Sequence, residues 1–217
     1  MKSLCVVAYS EYLSDARVMR QAEAASRDGY AVDVITLTGR DERSKEKAGG
    51  VILYRLRTRH YRGGSRAMYL VSYLDFFVRC FFRFSWLHLR KRYDVVQVCN
   101  MPDFLVFSTV VAKLMGAKVI LDIHDPMPEM CITKFPGSKR TNFYRWALLQ
   151  ERLSAAYADR VITVSDPVKS DILVPHGMDG GKISVIKNFP DEGIFRARER
   201  FDVSYPIRMI YLSLIHI

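Results

Sequence analysis

The sequence predicts a doubly wound α/β domain, a parallel sheet with helices on both of its faces. Two observations carry this expectation. Short apolar runs without polar alternation recur along the 217 residues, the pattern of strands buried on both sides. Between them lie stretches of helical spacing closed by helix stop signals, the order that builds βαβ crossovers. A hydrophobic content of 49% is ample for one sizeable core.

The first run, Leu4–Ala8, leads to a helix that begins at Ser14 or Asp15, since either side chain can cap free N–H groups, and stops at Gly29. Val18, Ala22 and Ala25 then share one face, suited to packing on the sheet. Val32–Leu37, Val51–Leu56, Val95–Cys99 and Val119–Ile123 supply the second to fifth strands. A helix over 142–157 follows, with Trp146, Leu149 and Leu153 predicted as its apolar stripe. After Val161–Val164, Ser165, Asp166 and Pro167 read as a helix start with proline where its missing donor costs nothing. Ile183–Ile186 is the last strand of this unit. Residues 189–206 read as a charged connector, and Ile207–Ile217 resumes as the first strand of a further, truncated unit. The expected organisation is therefore one domain over 1–195 and a connector with a strand over 196–217.

A formal charge of +10 points to an anionic partner: phosphate groups, an acidic membrane surface or nucleic acid. The basic residues are scattered and not interleaved with aromatics on strands, which disfavours nucleic acid. Cys5, Cys80, Cys99 and Cys131 show neither zinc spacing nor a disulfide framework, so reduced thiols and no metal are expected. The apolar run after Met1 is too short for a signal peptide, placing the protein in the cytoplasm.

The segment MYLVSYLDFFVRCFFRFSWLHLR, residues 68–90, is almost long enough to span a bilayer but carries Asp75, Arg79, Arg83 and His88. Asp75, Arg79, Arg83 and Arg90 form one polar stripe on a helix. Two readings stand. The helix covers the sheet and its rings fill the core, or surplus rings at Phe76, Phe82 and Trp86 meet lipid while the basic residues of 68–92 meet anionic headgroups at the inner face of the plasma membrane.

Ligands of doubly wound sheets sit outside the carboxyl ends of the strands. LDIHDPMPEM, residues 121–130, ends a strand with His124 and Asp125 at its tip, and prolines that hold Glu129 in place. The neighbouring tip, CNMPD, offers Asn100 and Asp103, the latter as a helix cap. No GxGxxG follows the first strand, and neither a P-loop nor a GxSxG elbow occurs.

These segments resemble glycosyltransferase family 4. SDARVMRQAEAASRDGYAVDVIT (14–36), YDVVQVCNMPDFLVFSTVVAKLMGAKVILDIHDPMPEM (93–130), ADRVITVSDPVKSDIL and ISVIKNFPD (within 158–191) carry the likeness. The resemblance implies the Rossmann-like, acceptor-side half of a two-domain GT-B enzyme that is retaining, metal-independent and uses a nucleotide sugar as co-substrate, with a saccharide or lipid-linked acceptor. It implies a place at the cleft for His124, with Asp125 and Glu129 shaping the loop, acceptor-side roles for Asp15 and Arg17, and a match of Asn188 and Asp191 to the N-x-x-D before the interdomain crossing. The glycine-rich turn of many relatives is missing after the first strand, and the diphosphate-binding second domain is absent, so the chain alone is expected to be inactive. The rival readings are a sugar-nucleotide epimerase of the same architecture and a membrane- or protein-docking module.

Overall fold

The computed structural model describes residues 2–39, 43–58, 61, 66–134 and 142–189. Residues 1–187 form one compact unit, and 188–217 cluster separately. Asp191, the connector and the apolar run at 207–217 lie outside the described residues.

Eight strands order as β3-β4-β2-β1-β5-β6-β7-β8 in a single sheet. They are β1 (Ser3–Glu11), β2 (Ala31–Leu37), β3 (Lys45–Ala48), β4 (Val51–Leu56), β5 (Val95–Cys99), β6 (Lys118–Ile123), β7 (Arg160–Thr163) and β8 (Ile183–Val185). Every neighbouring pair is parallel except β3 and β4, an antiparallel hairpin turning at Gly49 and Gly50. All seven apolar runs are strands. The eighth, β3, was not foreseen because KEKA has no apolar run and is almost wholly exposed.

Alternate residues of β1 feed two cores. Leu4, Val6 and Ala8 face α1 (Ala16–Arg27), where Val18 and Ala22 are buried and Ala25 packs beside them. Cys5 and Val7 face the opposite cluster, built with α2 (Arg66–Lys91), α5 (Asn142–Tyr157) and the 3-10 turn Asp103–Thr109 that leads into α3 (Val110–Leu114). Each fully buried Val, Leu, Ile or Phe contributes roughly 1.5–3 kcal/mol by leaving water, so this two-sided burial is what makes runs without alternation fold as strands.

Helix ends follow local chemistry. Asp15 Oδ1 accepts from the backbone N–H groups of Arg17 and Val18 at 3.3 and 3.4 Å, and Gly29 takes φ +86° just after the last turn of α1. Ser165 Oγ accepts from Val168 N–H at 3.3 Å at the start of the helical turn 168–173.

Two helices differ from expectation. α5 has the predicted bounds, but Trp146, Leu149 and Leu153 are 40%, 55% and 52% exposed, while Ala147, Gln150, Glu151, Ser154 and Ala155 face inward. The inward face is chosen by small residues and by buried polar pairs, which an apolar count overlooks. In α2 the inward face is Phe76, Cys80, Phe84 and Leu87, so Phe76 belongs to the core and is not a lipid-facing ring. Within the polar stripe, Asp75 and Arg79 form an ion pair at 2.8 Å. No helix among the described residues is long and apolar enough to cross a membrane.

Candidate active site

Strand order reverses between β1 and β5: from β1 the chain builds outward through β2 to β4, then returns to add β5, β6 and β7. The crevice of a doubly wound sheet opens at the carboxyl ends of the strands flanking such a reversal. The residues there are Tyr9 to Glu11 at the carboxyl end of β1, Asn100 after β5, His124 and Asp125 after β6, and the first turn of α1 (Ala16–Arg27) with Asp15 and Arg17.

Asn100 ties the two tips together. Its Oδ1 accepts from the His124 and Asp125 backbone N–H groups at 3.0 and 3.5 Å, and its Nδ2 donates to the Asp125 carbonyl at 2.6 Å. A side-chain amide with both a donor and an acceptor can latch a neighbouring loop in this way, and an aspartate could not.

Beneath this latch lies a polar network that the sequence reading overlooked. Asp122 is fully buried, and its Oδ2 accepts from Gln97 Nε2 at 2.9 Å and Gln21 Nε2 at 3.2 Å and lies 3.0 Å from His124 Nε2. Gln97 Nε2 also donates to Gln21 Oε1 at 2.6 Å. The His124 side chain is 5% exposed, turned inward to Asp122 and away from solvent. A carboxylate only accepts, so the contact places the imidazole proton on Nε2 and leaves Nδ1 for other work. Nδ1 is buried with no hydrogen-bond partner. The signals were legible: Gln97 is the one polar residue of VVQVC, and Asp122 interrupts VILDI.

Arg17 Nε lies 3.4 Å from Asp15 Oδ1. Both charges reach the tip of β5, where burial first and the Asp122 carboxylate next push the Cys99 thiol well up, with Asp15 adding to the rise and Arg17 opposing it. His124, Asp125, Asn100, Asp15 and Arg17 therefore share one end of the sheet.

Asp103 and Glu129 belong elsewhere. Asp103 neither caps a helix nor reaches solvent; it is fully buried and accepts from Gln150 Nε2 at 2.7 Å. Burial, reinforced by the nearby Glu151 carboxylate, raises its carboxyl to about 7. Glu129, on α4 (Met127–Lys134), sits 3.3 Å from His176 Nε2, whose Nδ1 lies 2.8 Å from the fully buried Glu151. The hydrogen bond to Glu151 raises His176, and burial raises Glu151. The ligand atoms of these three groups lie within 4.8 Å of one another, close enough to share a cation. A protonated imidazole between two carboxylates satisfies the same charges and cannot ligate a metal, so we read the cluster as an ionic clamp. Asn188 follows β8 and is exposed.

Two cavities lie away from the strand tips. One of about 630 Å³ opens at the amino ends of β1, β2 and β5, lined by Asp33, Lys47, Lys91 and Tyr93. The other, about 220 Å³, is lined by Arg152, Gly177, Lys182 and neighbours.

Comparison with known families decides the class. Residues 16–192 match Glycosyltransferase Family 4. The chain belongs to this family.

The family 4 chain shares its fold with solved structures at low identity. Sucrose-phosphate synthase from Thermosynechococcus elongatus superposes with TM-score 0.67 at 15% identity over 90% of this chain and 50% of that one. The glycotransferase of kitacinnamycin gives 0.57 at 12% over 94% and 55%, and a putative UDP-N-acetylglucosamine 2-epimerase from Listeria monocytogenes gives 0.51 at 10% over 84% and 44%. The family 4 chain thus spans about half the length of these structures. No curated protein matches it. The likeness to the epimerase lies in the fold, which both enzyme classes share.

Proposed function

We propose that the protein is a retaining glycosyltransferase that moves a hexosyl or related sugar from a nucleotide-sugar donor to a saccharide or lipid-linked acceptor, in polysaccharide or glycolipid synthesis. Residues 1–195 form its acceptor-side domain, working in the cytoplasm at the inner face of the plasma membrane. The observation that supports this best is the buried Asp122–His124 pair at the strand reversal of a family 4 domain.

Glycosyl transfer requires an acceptor hydroxyl held against the anomeric carbon and stabilisation of the charge on the departing nucleoside diphosphate. The groups on this unit suit the first task. Asp122 fixes the imidazole orientation and Asn100 fixes the loop that carries it, so His124, itself turned inward, serves as a positioning residue that sets the strand tip facing the acceptor. Glu129 acts indirectly, by securing α4 through His176. The second task falls to a diphosphate-binding lobe beyond this unit, so the 217-residue chain alone turns over no nucleotide sugar, and the reaction needs no metal.

The test uses the protein expressed from its complete reading frame, with a panel of nucleotide sugars and EDTA present. Glycoside formation is expected, with His124→Ala lowering kcat/KM by up to about 100-fold, the scale of a site displaced by about an ångström. Release of an isomerised nucleotide sugar with no glycoside would assign the protein to the epimerases. Turnover by the 217-residue chain itself would contradict the division of labour between the two lobes.

A further inference from the structure

α2 (Arg66–Lys91) is apolar on two sides. Its inward face is the core row Phe76, Cys80, Phe84 and Leu87. Its outward face carries Val71, Leu74, Val78, Phe82 and Leu89 at spacings that return to one side of a helix, and these are 56%, 46%, 49%, 68% and 58% exposed. A soluble helix ordinarily turns polar residues to water on that side, and contiguous apolar ridges on a surface mark interaction sites.

Charge identifies the occupant. Arg79, Arg83 and Arg90 follow one shoulder of the ridge at helical spacing. Arg83 lies 5.1 Å and Arg90 3.7 Å from the Trp86 ring, which is itself 43% exposed. Arg83 also lies 5.0 Å over the Tyr54 ring, with Lys45 and Lys91 at 5.6 and 5.3 Å from the same ring, so the basic shoulder continues onto the β3–β4 hairpin. Among the described residues neither Arg83 nor Arg90 has a carboxylate within ion-pair distance. An apolar ridge with tryptophan and unneutralised arginines at its margin has the composition of a helix lying in the plane of an anionic bilayer. A protein partner of the same face would be expected to bring carboxylates to Arg83 and Arg90, and a second copy of this chain, at +10, would bring like charge instead.

We propose that the outer face of α2 is a docking surface for anionic lipid, with Phe82 and Leu89 entering the acyl boundary and Arg83 and Arg90 engaging headgroup phosphates. Tyr9, just past the midpoint of β1 toward its carboxyl end, donates its hydroxyl to Ser72 Oγ at 3.0 Å, so the amino end of α2 lies at the same end of the sheet as the candidate active site. Resting on the proposed transferase function, this geometry would bring a lipid-linked acceptor to the active-site end of the sheet directly from the membrane plane.

The test is vesicle flotation of the purified chain with phosphatidylcholine alone and with about one third phosphatidylglycerol, with no sugar substrate present. Binding is expected on the acidic vesicles only. Phe82→Ser with Leu89→Ser should lower the partition coefficient by at least about tenfold, given the area each side chain removes from water. Arg83→Gln with Arg90→Gln should lower it by about 25-fold, from roughly fivefold per basic residue at the surface. Phe82, Leu89 and Arg90 are exposed and Arg83 is half-buried, and circular dichroism should show unchanged folding. Absence of binding to acidic vesicles, equal binding by the variants, or a wild-type dimer in light scattering that the serine variants abolish would each overturn the proposal. Because no transfer is assayed, flotation without sugar transfer would overturn the function alone, and transfer without flotation the docking alone.

Discussion

Replacing Asp103 by asparagine tests the polar core behind the site. Asp103 is fully buried, bonded to Gln150 at 2.7 Å, and its carboxyl is raised from the usual 3.8 to about 7 by burial and then by Glu151. A carboxyl raised in the folded state binds more protons folded than unfolded between those two values, so its stabilising proton is fully present below about pH 4 and is lost as pH climbs toward 7. At about 1.36 kcal/mol per pH unit, the wild type forfeits up to about 4 kcal/mol across that window, a large part of the 5–15 kcal/mol that holds a domain together. Asparagine keeps an oxygen to accept from Gln150 and carries no proton to lose. Urea unfolding at pH 5 and pH 8 should therefore show the variant gaining about 2–3 kcal/mol on the wild type between the two conditions, because about two pH units of the window lie above pH 5, whatever constant cost the new amide donor adds. Parallel wild-type and variant stabilities would refute the assignment of a raised carboxyl at this position.

Gly50 takes φ +83°, and a Cβ there would stand 2.6 Å from Ser26 Oγ; Gly50→Ala should cost about 1–2 kcal/mol, and adding Ser26→Ala should return only the clash portion in thermal unfolding. Phe84→Ala, in the core, should destabilise by about 3–5 kcal/mol, whereas Phe82→Ala, 68% exposed on the same helix, should stay within about 0.5 kcal/mol; similar losses would show that the two faces of α2 have been exchanged. His176, raised by its bond to Glu151, contributes stability that is complete below its ordinary value near 6.5 and is lost as pH rises through its folded value. His176→Gln should remove that decline, read as Tm at pH 6 against pH 8.

The strands were legible because burial on both faces leaves unbroken apolar runs, whose shortness and alternation with helical segments separate them from buried helices. β3 was hidden by the opposite logic, since an exposed edge hairpin needs no apolar residue, only the paired Gly49 and Gly50 that turn it. α5 shows where apolar counting fails. Its buried side holds Gln150 and Glu151, whose partners Asp103 and His176 are distant in sequence, so nothing local distinguishes it from a solvated face. The candidate site was half visible for the same reason. His124, Asp125 and Asn100 stand at strand tips, where position alone is informative, whereas Asp122, Gln97 and Gln21 act through contacts spanning up to 101 residues of chain.

The hairpin at the sheet margin sets how this molecule can and cannot associate. β3 presents Lys45 and Lys47 on a four-residue strand that is almost entirely open to water. A foreign strand adding there would find only a short ladder and would have to strip hydration from ammonium groups. The protein can accordingly be concentrated without fibrous growth from that side.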